Sequence, residues 1–366
     1  MKRFSMMALA ALLAVAGSAL ADPGNGNGNA NGVGNGNGNG NGLIGGIIGG
    51  PGANANKEPT VAEPTNGNVT PGTFDNFDVY YNVCRGTDPR CYHPWVATRA
   101  EKVLLFTRTA GPRHANLGPA LAAGKNPPLT AANVVQNTII KWMAEQGVAV
   151  DYTEDVNQLA NLNTYKAVIF ASNSRDALWK HGTAVNPARA VDTTTSAYLD
   201  AAKVSLRQYM RAGGGFVAIH NAFGTEYNWP WYEGLLGNAN YYDHGTFQNG
   251  TINIVAKHDS STDGLPKTIP FKDEWYNLVP YPTRVKFLAT VDEDTLATKR
   301  TVHPGHGDFH PVAWCQYYDG GRAWLTTLGH DAQAFTDGST FPGQPQFKQL
   351  IVNGILSAMG NKPFCQ

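Results

Sequence analysis

The stretch Gly213-Gly-Gly-Phe-Val-Ala-Ile-His220-Asn-Ala-Phe-Gly-Thr-Glu226-Tyr-Asn-Trp-Pro-Trp231 decides how the rest of the chain is read. A glycine turn leads into an uninterrupted apolar run, the run ends on a histidine, and a polar, aromatic loop follows. Short apolar runs of this kind suit strands buried on both faces, as in a parallel sheet. Ligands of open α/β sheets bind beyond the carboxyl ends of such strands, so His220 is expected at a cleft.

Residues 101–107, 148–152 and 165–171 read as further buried strands. A helix over 131–146 carries Val134, Val135, Ile139 and Met143 on one face, and a short helix is expected near 156–160. A longer helix over 196–212, striped by Leu199, Ala202, Leu206, Tyr209 and Met210, leads into the glycine turn. Strands then follow at 251–255 and 285–291, flanking Asp273-Glu274-Trp275-Tyr276. A hairpin over 311–328 turns at Asp319-Gly-Gly, and a helix over 347–359 closes the domain. The expected fold is α/β: a doubly wound, mostly parallel, flavodoxin-like sheet with an antiparallel extension in the C-terminal half.

The N-terminal third has another character. Lys2 and Arg3, an apolar run and Ala19-Leu20-Ala21 make residues 1–21 a secretory signal peptide. Residues 22–73 form an Asn/Gly-rich linker with too little apolar surface to offset its backbone entropy. Residues 74–100 read as an extension stapled by a Cys84–Cys91 disulfide, which suits an oxidising, extracellular or periplasmic setting. The folded domain is expected over 101–366. Cys315 is expected buried and inert, and Cys365 free unless geometry pairs it.

Lys plus Arg and Asp plus Glu number 28 each, with no basic stripe, which argues against nucleic acid. No later apolar run is long enough for a membrane span. Gly-x-Ser-x-Gly, phosphate-loop and dinucleotide glycine patterns are missing, which argues against serine hydrolase, nucleotide and nicotinamide chemistry. Oligomeric state is not legible.

Several blocks in order carry a resemblance. They are Val103-Leu-Leu-Phe106 leading to Arg113-His114, the opening stretch from Arg211 to Tyr232, Asp273-Glu-Trp-Tyr-Asn277, Pro311-Val-Ala-Trp-Cys315, and Gly320-Gly-Arg322 followed by Leu328-Gly-His330. Together they resemble the ThuA-like (trehalose utilisation) family over about 102–360. The resemblance implies a class I glutamine amidotransferase-like fold and a link to trehalose and oxidised 3-keto disaccharides. In that fold a cysteine nucleophile sits on a sharp elbow between small residues. Here Ala218 and Ala222 hold those offsets around His220, so the elbow is kept without the thiol, which argues against a glutaminase.

The candidate catalytic residues are His114, His220, Glu226, Glu274 and His330, with the alternative that His220 is held structurally and that the carboxylates only brace loops. Tyr227, Trp229, Trp231, Asp273, Trp275 and Asn173 are candidates for binding a sugar. His244 and His310, with His220, are looser candidates for a divalent metal site, since imidazole is a common ligand. His303 and His306 are expected to be solvated. The leading expectation is a secreted carbohydrate-acting enzyme with His220 as base, Glu274 as acid, and His114 and His330 polarising a carbonyl. The alternatives are a non-catalytic carbohydrate-binding or surface module and a metal-dependent hydrolase.

Overall fold

A computed structural model describes residues 76–96, 98–178, 201–299 and 302–366. The signal peptide, the whole of the linker, the first two residues of the extension and the first turn of the helix expected from 196 lie outside these residues. In chain order the elements are β1 (Phe77–Asp78), β2 (Val83–Gly86), β3 (Ala100–Phe106), α1 (Val134–Ala144), β4 (Ala149–Thr153) and β5 (Tyr165–Ala171). Next come α2 (Ala201–Arg211), β6 (Gly215–Ile219), α3 (Pro230–Leu235), β7 (Tyr241–His244), β8 (Gln248–Ile254) and β9 (Thr268–Asp273). The chain ends with β10 (Tyr276–Leu278), β11 (Lys286–Asp292), β12 (His310–Tyr318), β13 (Gly321–Thr326) and α4 (Gln344–Met359).

The main sheet runs β4-β3-β5-β6-β13-β12-β11-β8-β9. Its first five strands are parallel, in the flavodoxin-like order, and from β13 outward every pairing is antiparallel. The expected fold is therefore observed. Side-chain alternation along the strands builds two cores. Val103, Ala167, Ile169, Val217 and Ile219 pack on one face with α1 and α4. Leu104, Phe106, Val168, Phe170, Phe216 and Ala218 pack on the other with α2 and α3. Contact between α4 and the sheet is close: a Cβ on Gly354 would lie 2.4 Å from the Trp324 indole. Trp314 and Trp324 are core residues, fully buried.

Strands β7, β9 and β10 have no counterpart in the sequence reading. β10 pairs with β7 as a separate two-stranded ribbon. Tyr276 stacks beside Tyr241 and His244, while the neighbouring Asn277 and Asp243 hydrogen-bond to each other. The ribbon is only three to four residues long, too short for its alternation to stand out from a loop.

Cys84 and Cys91 are bonded as expected, and β2 adds to the sheet at β12, opposite Tyr317 and Tyr318. Cys315 is buried but not a free thiol: it is bonded to Cys365, which fastens the C-terminus to β12. Their separation of 50 residues hid the pairing from the sequence. Among the described residues no helix is long and apolar enough to cross a membrane.

Cross-linking across 50 residues restricts the unfolded chain by about 4 kcal/mol in the loop-closure account. Cys365→Ser should therefore lower unfolding free energy by about 2–4 kcal/mol, measured as a fall in the urea midpoint. An unchanged midpoint would show that this bridge adds nothing to stability.

Candidate active site

Four segments deliver the site to the carboxyl edge of the parallel strands. His114 comes from the loop after β3, His220 follows β6 directly, His330 follows β13, and Glu274 lies between β9 and β10. One potential ligand atom from each of these four residues lies within 4.8 Å of the others.

His220 stands at a sharp bend. The residue before it is extended, its own φ is +53°, and a 3-10 turn over His220–Gly224 follows. Positive φ is uncommon for a non-glycine residue and persists only where the surroundings hold it. Ala218 and Ala222 on either side are fully buried, and a Cβ on Gly224 would come 2.3 Å from the Asn221 side-chain oxygen. The tight strand-to-helix elbow is present, with an imidazole at its tip.

The His220 ring is wholly enclosed. Its Nδ1 lies 2.9 Å from the Thr327 carbonyl, which can only accept, so Nδ1 carries the hydrogen. In the neutral ring this leaves the lone pair on Nε2. That atom is 3.0 Å from the Tyr276 hydroxyl and 3.1 Å from Nε2 of His114. The rings of His114, His220 and His330 are mutually edge-on, with centroids 4.7, 5.2 and 5.4 Å apart.

Glu274 closes the group. Its Oε2 is 3.0 Å from His330 Nδ1, 3.6 Å from His244 Nε2 and 3.8 Å from His220 Nε2. The neighbouring Asp273 is fully buried, and its carboxylate accepts from the amides of Gly329 at 2.8 Å, Glu274 at 2.9 Å and His330 at 3.2 Å. Asn116 ties the other side, donating to the carbonyls of Gly329 and His330 at 3.1 and 2.8 Å.

Electrostatics follow from burial opposed by neighbours. Burial and the nearby His330 push His114 down to about 4. Burial drives His220 well below its ordinary value, so both rings are neutral at pH 7. Burial alone would raise Glu274, but the contact with His330 and the charges of His244 and His330 hold it below the usual carboxylate value. Burial alone would lower His330, but Glu274 lifts it above the ordinary histidine value. Burial pushes Asp273 up to about 7 against its three amide donors. Tyr276 is driven upward by burial and then by Glu274, and so remains a hydroxyl donor.

The structure brings His114, His220, Glu274 and His330 together, with His244 at the rim, and sends the other candidates elsewhere. Glu226 turns away from the histidines. Its fully buried carboxylate lies 2.9 Å from Lys203 Nζ and accepts from the Leu178 amide at 2.7 Å. Trp231 is buried with its indole N–H on Asp319, and Trp229 stacks on it. Trp275 is a core residue whose indole N–H donates to the Gln248 carbonyl. Asn173 spans strand ends, donating to the carbonyls of Phe106 and Arg108. The Tyr227 hydroxyl donates to the Tyr241 carbonyl, bracing the ribbon.

His310 does not join His220. Its Nδ1 is 2.7 Å from Glu293 Oε1 and its Nε2 is 2.9 Å from the Tyr276 carbonyl. His306 is not simply solvated either: its Nε2 accepts from the Leu278 amide at 2.9 Å. Tyr276 is the site residue the sequence reading did not single out. Its signal was its place two residues after Glu274, where an extended chain projects both side chains to one side.

A family model described as ThuA, trehalose utilisation, matches residues 102–358. No curated protein matches the chain. A solved structure described as a ThuA-like protein from Bacteroides uniformis is 19% identical, covers 69% of this chain and 89% of its own, and has a TM-score of 0.49. One from Parabacteroides merdae is 17% identical, covers 72% and 91%, and has a TM-score of 0.48.

Burial, with the neighbouring His310 and His303, pushes His306 from 6.5 down to about 3. The folded state therefore binds fewer protons than the unfolded chain in that window. The contribution is complete above pH 6.5 and is lost as pH falls from 6.5 toward 3. His306→Gln, whose side-chain oxygen can still accept from Leu278, should flatten the acid side of the stability–pH curve between these limits. Parallel urea titrations at pH 7 and pH 5 measure it, and an equal loss in both proteins would contradict the assignment.

Proposed function

The chain belongs to the ThuA, trehalose-utilisation family, and on that premise we propose that it is a carbohydrate-acting enzyme whose substrate is an oxidised, 3-keto glycoside. The family is associated with carbohydrate utilisation. The observation that carries the catalytic part is the convergence of His114, His220, His330 and Glu274 within 4.8 Å at the edge where open α/β sheets bind ligands. A purely structural histidine cluster has no need of a carboxylate that is only partly buried and paired with two rings at the cleft rim.

A ketone at C3 acidifies the C2 proton, so the reaction needs a base and an electrophile rather than a strong nucleophile. His220 was the expected base, but its ring is enclosed and its Nε2 already meets Tyr276 and His114. Glu274 is the better reading: it is more accessible and held ionised by its neighbours. Glu274 takes the C2 proton, and the C–H electron pair becomes the enolate double bond as charge moves onto the C3 oxygen. The donors available near Glu274 for that oxygen are the Tyr276 hydroxyl and His330, which Glu274 lifts above the ordinary histidine value. As the electrons return, the C1–oxygen bond breaks, the leaving oxygen takes the proton back from Glu274, and water then adds across the C1–C2 double bond.

Aromatic rings pack beside the group, Tyr241 against Tyr276 at 4.4 Å and Phe247 against His330 at 5.1 Å between centroids. Ring faces of this kind suit the apolar faces of a pyranose. The proposal includes export: the N-terminal sequence reads as a signal peptide, and the two disulfides fit an oxidising compartment.

The test is turnover of 3-keto-trehalose or another 3-keto-glucoside, followed by release of the free sugar. Glu274→Gln should lower kcat by about 100-fold or more, the usual weight of a general base. Glu226→Gln, which alters a carboxylate facing Lys203, should leave kcat within a few-fold of the parent. Full turnover in Glu274→Gln would remove the proposed mechanism.

A further inference from the structure

Two histidine clusters lie on either side of β10, and they differ in what their nitrogens face. In the cluster of His303, His306 and His310 at least one nitrogen of each ring is tied to the backbone, and both are taken in His310. His310 contacts Glu293 and the Tyr276 carbonyl, His306 accepts from Leu278, and His303 accepts from the Gly305 amide. That cluster is a brace. In the cluster of His114, His220 and His330 the ring nitrogens converge, with the Tyr276 hydroxyl 3.0 Å from His220 Nε2 and Glu274 3.0 Å from His330 Nδ1.

Three details describe that second arrangement. The Thr327 carbonyl fixes the hydrogen of His220 on Nδ1, which turns an unprotonated Nε2 toward Nε2 of His114 at 3.1 Å. A backbone carbonyl on the far nitrogen is the support that orients metal-ligating histidines. His330 Nδ1 is buried and only 3.0 Å from Glu274 Oε2, yet it lacks the in-line geometry of a hydrogen bond. Close approach without alignment is how two donors disposed around one centre meet. The ring spacing is the third detail. Imidazoles bound to one tetrahedral ion at about 2.1 Å have centroids about 3.2 Å from it and so about 5 Å apart. The observed spacings are 4.7, 5.2 and 5.4 Å.

The geometry points to a divalent transition-metal site in which His114, His220 and His330 each give one ring nitrogen, with Glu274 beside the open fourth position. Three imidazole ligands suit zinc, iron or nickel better than magnesium or calcium, which take oxygen ligands. Three protein ligands leave a position for a substrate oxygen or water, as catalytic zinc sites do. The scaffold is built for rigidity: His220 is fixed by the elbow and Thr327, and the His330 loop is held by Asp273 and Asn116. The use of the ion, as the electrophile that polarises the C3 ketone, rests on the carbohydrate reading above; its binding does not.

The experiment separates the two. The full chain, stripped with a chelator and dialysed, is titrated with zinc chloride alone by calorimetry, and bound metal is counted by elemental analysis. About one ion per chain is expected, with a rise in Tm on loading. The His114→Ala plus His330→Ala variant should lose stoichiometric binding while keeping the circular dichroism of the parent. Glu274→Gln should retain the ion and lose turnover. If the double variant misfolds, Glu274→Gln and the parent still decide the matter, because both must load. Failure of the parent to bind zinc, iron or nickel above the level seen with magnesium overturns the site. Keto-glycoside turnover that survives chelation overturns the ion's role as electrophile, whether or not the metal binds. Zinc binding without any keto-glycoside turnover upholds the site and overturns the substrate reading instead.

Discussion

Asp273, enclosed at the end of β9, accepts hydrogen bonds from the amides of Gly329 and His330, and this clasp joins the antiparallel half of the sheet to the parallel half. The parallel strands supply three histidines at their carboxyl ends, but Glu274 and Tyr276 follow β9, the strand at the far edge of the sheet, which pairs only with β8. Without the clasp nothing in the strand order would bring that segment over β13. Burying a carboxylate is costly unless it is hydrogen-bonded, and here three amides share the work. One of them belongs to Glu274 itself, so the same side chain orients the carboxylate and the histidine on either side of it.

The opposite wall depends on backbone strain at His220. A non-glycine residue held at positive φ costs about 1–3 kcal/mol, and here the strand on one side and the short turn on the other keep it there. Strand β6 lies between β5 and β13, each paired to it over five residues, so the bend has no room to relax. The bond from Nδ1 to Thr327 then sets which nitrogen faces the cleft. A cysteine on such an elbow would present one sulfur, whereas an imidazole presents a donor backward and a lone pair forward. The elbow geometry is thus retained while the chemistry it serves changes.

The ribbon of β7 and β10 is thin and needs outside support. On one face Tyr276 and Tyr241 pack into the site. On the other, His310 holds the Tyr276 carbonyl while Glu293 holds His310, and His306 takes the Leu278 amide. These histidines position the ribbon and do not enter the cleft. The two disulfides act farther out, one on the N-terminal extension beside β2 and one fixing the C-terminus to β12.

The amino-acid sequence by itself determined the doubly wound sheet, because its strands are buried on both faces and appear as unbroken apolar runs between helical periods. It also determined that His114, His220 and His330 end strands or strand loops on one edge, since parallel strands share a direction. Its small residues around His220 carried the elbow. What only the tertiary structure decided was which polar groups meet. Glu226 and Glu274 look alike in sequence, each beside aromatics, but Lys203 takes one and the histidines take the other. Trp275 sits next to Glu274 yet belongs to the core, because an extended chain turns neighbouring side chains to opposite sides. His310 and His114 are equally bare as letters, and their separation rests on contacts 17 and 106 residues away along the chain. Periodicity reports which face of an element is buried; it carries no record of what a distant segment will place against that face.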